Sequence, residues 1–381
     1  MVNIIYRHYK SGDEIQLADL FNITFQQNGG GLVRTPKNWA WRYIQSPGFE
    51  PEMCQIAEDI EKNKIIGAVY VNLVEKIPLG NNKFLVGEIN DVSCHPDYIK
   101  KGIATNLMKM AIVYMEKKGC DVSMLSAGYE GIARQKIYKK LDYIDFDRKY
   151  IFIQIANLFK LIEDLYGFLI FLLIFFGYSY IPRFINRIRI KLNPFFKNFS
   201  YEINNNKNHF KYMYSVNNIL SKYYTGFPDY NRKKFIWARV KVPAKAHKPT
   251  YILIKRDGKI IGGAVITHQN VYAFKYGLKI RIGLIHELFL DKSKFKNRKE
   301  VQLGYIYLID RILKAATRRF LGVLVYSSSS RDFDLHRGFR AMNFLKLQNE
   351  VIMIRIIKKE IKIPKLKKPI FILPHVAFGV P

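Results

Sequence analysis

Cysteine is scarce in this chain, with three in 381 residues. Cys54, Cys94 and Cys120 form no Cys-x-x-Cys pair and no metal-like spacing, which leaves no disulfide framework or metal site to build from them. No leader-like segment opens the sequence, so a reducing cytoplasm is the expected compartment. Acid is short as well: 31 Asp and Glu stand against 62 Lys and Arg, a formal net charge of +31. That shortage is local. Residues 1–150 hold 20 basic and 18 acidic side chains, leaving 42 against 13 for residues 151–381. An electrostatically ordinary first part therefore precedes a cationic body. Such a body suits an anionic membrane surface, nucleic acid or an acidic substrate, the bland alternative being solvated lysines. What is present in quantity is apolar: 49% of residues are hydrophobic. That composition describes a globular chain, long enough for two domains that each bury a core.

The sequence repeats itself once. WRYIQSP (41–47) is echoed by WARVKVP (237–243), and KIIGAV (64–69) by KIIGGAV (259–265). Each is followed by a strand-like run containing a glutamate, VGEINDVSC (86–94) and GLIHELFL (283–290). Then come a helical pattern, a short apolar strand (121–127 and 322–328), and an ending of small helix, turn and aromatic (137–143 and 335–344). Five echoes in one order argue for duplication of one domain. Within each copy strands and helices mix, which predicts an α/β (α+β) layered fold rather than a bundle. Ser11-Gly-Asp-Glu14 reads as a capping box opening the first helix.

The stretch HPDYIKKGIATNL (95–107) runs from a strand end into an amphipathic helix in which Ile103, Leu107, Met110, Ala111 and Met115 recur at helical spacing. A strand entering a helix through a small-residue turn leaves backbone N–H groups pointing outward, at the positive end of the helix dipole. That is a site for a phosphate or pyrophosphate. Gly102 allows close approach, Ala104 keeps the helix start uncrowded, and Lys100 and Lys101 add charge.

This stretch resembles motif A of the GNAT (Gcn5-related N-acetyltransferase) superfamily, Gln/Arg-x-x-Gly-x-Gly/Ala, here Ile99-Lys100-Lys101-Gly102-Ile103-Ala104. The resemblance extends over residues 1–150 and, through the repeat, to 200–358. It implies two tandem GNAT-like domains, each a mixed central sheet flanked by helices: 1–156 with an acyl-CoA site, a hydrophobic then basic linker 157–199, a degenerate second domain 200–358, and a basic tail 359–381. It further implies acetyl-CoA as co-substrate, with no metal. Backbone amides of Ile99, Lys100, Lys101, Gly102, Ile103, Ala104 and Thr105 would hold the pyrophosphate. Val92, Ser93 and Cys94 would pair with the pantetheine arm and polarise the thioester carbonyl. Glu88, at the spacing the histone-acetyltransferase branch uses, would be the base, against a bland reading as a salt-bridged strand glutamate. Tyr138 would protonate the coenzyme A thiolate, against a reading as a packed core ring. Departures from the pattern are Ile99 for Gln/Arg, Lys100 for a frequent glycine, Asp142 for the glycine before the aromatic, and Gly131 for a frequent asparagine.

Asp91 is the poorer base, because alternation puts it on the other face unless a bulge intervenes. In the second copy no Gly-x-Gly/Ala stands at the junction, and the position matching Tyr138 is expected near Asp334. That copy reads as a retained fold without a cofactor site, with His286 and Glu287 as candidates for lining a substrate cleft. The uncharged run LYGFLIFLLIFFGYSYIP (165–182) is followed by Arg183, Arg187, Arg189 and Lys191. It is short for a crossing. The readings are an interfacial anchor on an anionic membrane through 165–191, which would put the protein at the cytoplasmic membrane face, or a buried helix or dimer contact. The expected function is direct acetyl transfer from acetyl-CoA to a primary amine, small or carrier-linked. The alternatives are an aminoacyl-tRNA-dependent transferase, for which the basic half would bind nucleic acid, and a non-catalytic module at a membrane or complex.

Overall fold

A computed structural model describes residues 3–26, 31–157, 159–161, 169–204, 209–227, 230–242, 249–273, 277–363 and 365–371, with the backbone alone for 75, 76, 169–180, 209, 273, 348 and 349. Residues 165–168 of the uncharged run and 372–381 of the basic tail lie outside the described residues. The chain folds as two compact units. The first comprises Met1–Lys149, Thr225–Pro228 and Asn349–Pro381, and the second Tyr150–Tyr224 and Asp229–Gln348.

In chain order the first half gives β1 (Ile4–His8), α1 (Asp13–Phe25), β2 (Gly31–Leu32), α2 (Pro36–Arg42), β3 (Cys54–Asp59), β4 (Lys64–Leu79), β5 (Asn82–Cys94), α3 (Ile103–Lys117), β6 (Val122–Gly128) and β7 (Ile144–Ile155). A single helix, α4 (Leu169–Leu192), follows. The second half gives β8 (Phe199–Asn204), α5 (His209–Tyr223), α6 (Arg232–Phe235), β9 (Thr250–Arg256), β10 (Lys259–Ala273), β11 (Leu278–Leu290), α7 (Arg298–Arg318), β12 (Val323–Ser329), α8 (Phe333–Ala341) and β13 (Leu345–Ile356). The mixed α/β expectation holds, and the second half repeats the order of the first, except that β2 has no counterpart and α8 stands where the first half has only short π and 3-10 turns.

The sheet of the first unit runs β1–β3–β4–β5–β6–β13. Every described pair in it is antiparallel except β5 with β6. The second sheet runs β8–β9–β10–β11–β12 and then β7, with β11 and β12 parallel. By chain order β7 and β13 are equivalent, yet β13 pairs with β6 while β7 stands beside β12. Each sheet thus takes its closing strand from the other copy of the repeat.

Burial follows the sequence pattern. Ile103, Leu107, Met108, Ala111, Ile112 and Met115 turn one face of α3 into the core of the first unit. Gly87 lets α3 approach the sheet: a Cβ there would meet Met115 Sδ at 2.1 Å. The opening of α1 differs from expectation. Its N-cap is Gly12, in the left-handed region, and no side chain caps it. Glu14 still accepts from the Gly12 N–H at 2.9 Å, so half of the capping box survives.

One polar pin lies where β13 closes the first sheet. Ser126 donates to Glu350 at 2.8 Å, and the buried Lys149 ammonium donates to Ser126 at 3.0 Å and to Glu350. Burial alone would raise the Glu350 pKa, but the Lys149 cation and the hydrogen bonds outweigh it and hold the carboxyl below its ordinary value. Its contribution to stability is therefore complete above the ordinary glutamate range and disappears as pH falls through the lowered folded value. Glu350→Gln is expected to lower the urea midpoint at pH 7, and the gap to wild type should close as pH approaches 3. Midpoints of both proteins across that range check this.

Candidate functional site

The parallel pair β5 and β6 does not stay paired. Described register runs from Val86↔Val122 to Ile89↔Leu125, although β5 continues to Cys94 and β6 to Gly128. On its other side β5 remains bonded to β4, but with an interruption: Ala68 faces Ser93 and Tyr70 faces Asn90. Asp91 and Val92 therefore stand opposite Val69 alone. That is a β-bulge, and Asp91 takes φ 49° within it. The bulge overturns simple alternation for Asp91. Its carboxylate is clamped by the buried Arg34 guanidinium and by the Tyr43 hydroxyl. It is a structural anion with two hydrogen-bonding partners and Arg42 Nε at 3.9 Å, and none of the three was visible as such in the sequence.

Beyond the strand end the chain bends twice. Tyr98 is buried and donates to Asp59 at 2.6 Å, which fixes a short 3-10 turn at Pro96–Tyr98. His95 is buried, with its Nε2 2.9 Å from Lys64 Nζ. Lys100 and Gly102 then both have positive φ, 64° and 77°. Gly102 is the N-cap of α3, with no side-chain cap and no acid in the first turn. The first helical bond is Asn106 N–H to Gly102 C=O, at 3.0 Å. The N–H groups of Ile103, Ala104 and Thr105 thus have no acceptor within the helix. A Cβ on Gly102 would have nothing within 4 Å, so the glycine serves the backbone angle and leaves open space above it. Ile99, Lys100 and Lys101 are exposed around it.

The chemistry-bearing side chains are placed as follows. Glu88 is fully buried, its Cα register partners being Asn72 on β4 and Met124 on β6, one pair before the strands part. Its Oε2 accepts from Asn72 Nδ2 at 3.3 Å. Val92 and Cys94 are half-buried and Ser93 is buried, on the bulge and the strand end. Burial raises the Cys94 thiol, so it stays protonated and packs. Tyr138 is buried, its ring edge-on to Tyr143 at 6.2 Å, and burial pushes its phenol well up. The departures from motif A are accommodated by backbone. Asp142 takes the left-handed conformation, φ 58°, that the family glycine would supply. At Gly131 a Cβ would lie 3.0 Å from Gly128 C=O, in a turn closed by a 2.9 Å hydrogen bond that leaves an asparagine little room.

The second unit repeats this framework and closes it. Its bulge falls at Glu287, φ 42°, opposite Ala264. Glu287 is held by Arg239 and Tyr230. The three positions lie one repeat on from Asp91, Tyr43 and Arg34 respectively, so arginine and tyrosine have exchanged places around the same carboxylate. Glu287 and His286 are each 1% exposed, and His286 Nε2 lies 2.7 Å from Thr267 Oγ1. They belong to the interior of this unit and do not line a surface. The start of α7 is capped by its own side chains: Asn297 accepts from Glu300 N–H at 3.0 Å, and Glu300 accepts from Lys296 N–H at 2.9 Å. An acid thus occupies the place where an anion would sit. The helix endings also correspond. Phe344 N–H bonds Phe339 C=O as Tyr143 N–H bonds Tyr138 C=O. Phe339, not Asp334, therefore matches Tyr138, and the second copy has a ring there without a hydroxyl.

Residues 5–144 match the family model described as "Acetyltransferase (GNAT) domain". The chain therefore carries a GNAT domain in its first unit, and the second unit repeats its layout. Several solved structures share the fold. One of Saccharomyces cerevisiae N-myristoyltransferase with bound myristoyl-CoA aligns at TM-score 0.67 and 14% identity, over 93% of this chain and 83% of that one. Another of the same enzyme with myristoyl-CoA gives 0.66 and 13%, over 93% and 79%. At such identity the likeness is one of fold. No curated protein matches the chain.

If the arginine–tyrosine exchange preserves one clamp, each of Arg34→Tyr and Tyr43→Arg should destabilise the protein by roughly 2–4 kcal/mol, by leaving Asp91 badly paired. The double variant should recover much of that loss. A double-mutant cycle in urea reads the coupling, and additive losses would sink the idea.

Proposed function

We propose that the first unit binds a coenzyme A thioester and transfers its acyl group directly to a primary amine. The observation that carries this reading is the contrast between two equivalent helices. The α3 N-terminus is uncapped, free of acid and entered through left-handed Gly102, beside strands that have parted. The α7 N-terminus is capped by Asn297 and Glu300. Helix N–H groups without a side-chain acceptor, near lysines and with open space above them, suit a pyrophosphate. The parted edge of β5 suits an extended amide-bearing arm, which can add to it as a strand would.

In this reading the amides of residues 99–105 hold the pyrophosphate and residues 92–94 align the pantetheine arm. The bulge turns a backbone N–H toward the thioester carbonyl, where it stabilises the oxyanion of the tetrahedral intermediate. Glu88 takes the proton of the attacking ammonium, directly or through one water. The amine nitrogen bonds to the carbonyl carbon and the C–S bond breaks; Tyr138 protonates the departing thiolate, and the second proton of the attacking nitrogen returns to the phenolate, directly or through water. A phenol raised by burial stays protonated throughout the working range, so it remains a donor at every accessible pH. Acetyl-CoA is the donor we favour, and the acceptor is a small or carrier-linked amine. A longer acyl chain is the second reading, favoured by the fold likeness to enzymes solved with myristoyl-CoA.

Thermal melting with coenzyme A and with acyl-CoAs from acetyl to myristoyl tests the proposal, because a ligand of the folded state raises the midpoint. Wild type should shift and Gly102→Glu should not, while a variant of the self-capped loop, Asn297→Ala, should keep the full shift. Absence of any shift in folded wild type would refute the site. Once an acceptor is found, Tyr138→Phe should lower kcat by roughly 10²-fold with little change in KM for the thioester.

A further inference from the structure

Over residues 181–192 helix α4 packs two polar side chains inward beside the core residue Ile190. Arg183 is buried and donates to Ala156 C=O and Thr317 Oγ1, each at 3.1 Å, and Asn186 is buried and donates to Ala341 C=O at 2.8 Å. Its open side carries aliphatic and aromatic ones. Ile181, Phe184, Ile185, Ile188 and Leu192 are 58, 65, 44, 42 and 72% exposed. At 3.6 residues per turn these five fall within an arc of about 100°, one continuous stripe. Solvated helices place such a stripe inward, so an outward one marks a surface meant to be covered.

The flanks identify the cover. Arg189 and Lys191 are exposed beside the stripe, Arg187 is half-exposed but ion-paired to Asp310 at 3.1 Å, and α4 contains no Asp or Glu over its whole length. Apolar centre, basic margins and a helix lying along the surface are the requirements for docking on an anionic lipid–water interface, where long cationic side chains reach the headgroups. An open groove of about 440 Å³ lies alongside, lined by Ile188, Leu192, Phe196, Leu303 and Ile306 together with the polar Asn186, Arg189 and Asn193. No helix among the described residues is long and apolar enough to cross a membrane, so the contact would be in the plane. We propose that residues 181–192 form an interfacial docking stripe for an anionic bilayer. The proposal does not depend on the acyl-transfer reading.

The test is sedimentation of the full chain with vesicles of phosphatidylcholine alone or mixed with phosphatidylglycerol. Wild type is expected to bind the anionic vesicles. Phe184→Glu with Ile188→Glu should lose the binding, and Arg189→Glu with Lys191→Glu should weaken it about tenfold or more. All four positions are exposed, so melting temperatures should stay near wild type. Ile188→Trp should show a blue-shifted emission on the same vesicles. Failure of wild type to sediment would overturn the proposal. So would unchanged binding by the Phe184/Ile188 variant, or a wild-type dimer in light scattering that this variant dissolves while vesicles are ignored, which would assign the stripe to a second copy of the chain.

Discussion

A strand bonded on both sides has no backbone amide to offer a ligand. In β5 the described pairing with β6 ends at Ile89, and two residues on Asp91 adopts a left-handed conformation that costs free energy for any residue with a Cβ. Arg34 and Tyr43 on its carboxylate make that conformation tolerable. The kink sets where Val92, Ser93 and Cys94 run, and so where the chain turns into the loop before α3. Remove the clamp and the strand has less reason to part from regular pairing.

The two copies separate what a fold requires from what a ligand requires. Both keep the bulge, an acid within it, and an arginine and a tyrosine upon it. In one copy the arginine comes from the earlier position and the tyrosine from the later, and in the other the order is reversed. What differs at the site is the helix N-terminus, the ring hydroxyl and the carboxylate of Glu88, one repeat on from which stands Leu284. Asn297 and Glu300 satisfy the amides that Gly102 leaves open, and Phe339 stands for Tyr138.

The repeat, the α/β layering and the turn at Gly102 were readable in the sequence, because each rests on local pattern. Glycine with a positive φ before an amphipathic run is a short-range signal. The Asp91 clamp was not readable, since Arg34 and Tyr43 reach it across 57 and 48 positions of chain. Alternation alone could not place Asp91, because a bulge breaks the period it relies on. The role of Glu287 was missed for the same reason. Its burial against Arg239 depends on tertiary packing, whereas its sequence neighbours look like those of any strand end. Composition pointed to a cationic second half, but only the structure sorted its apolar residues into an outward stripe on α4.

The exchange of closing strands has a consequence for how the protein comes into being. On the ribosome β6 is complete long before Glu350 has been made, and at 5–20 residues per second the wait is on the order of ten seconds or more. Throughout that interval the edge of β6 that β13 will cover lies open, a template for pairing with any passing strand. The equivalent strand β7 is made almost at once but belongs beside β12, which is also not yet made. Vectorial synthesis thus sets the nascent chain a choice between an early local pairing of β6 with β7 and the late distant one found in the finished molecule. The distant arrangement is reached only if β7 stays off β6 until β13 has been made.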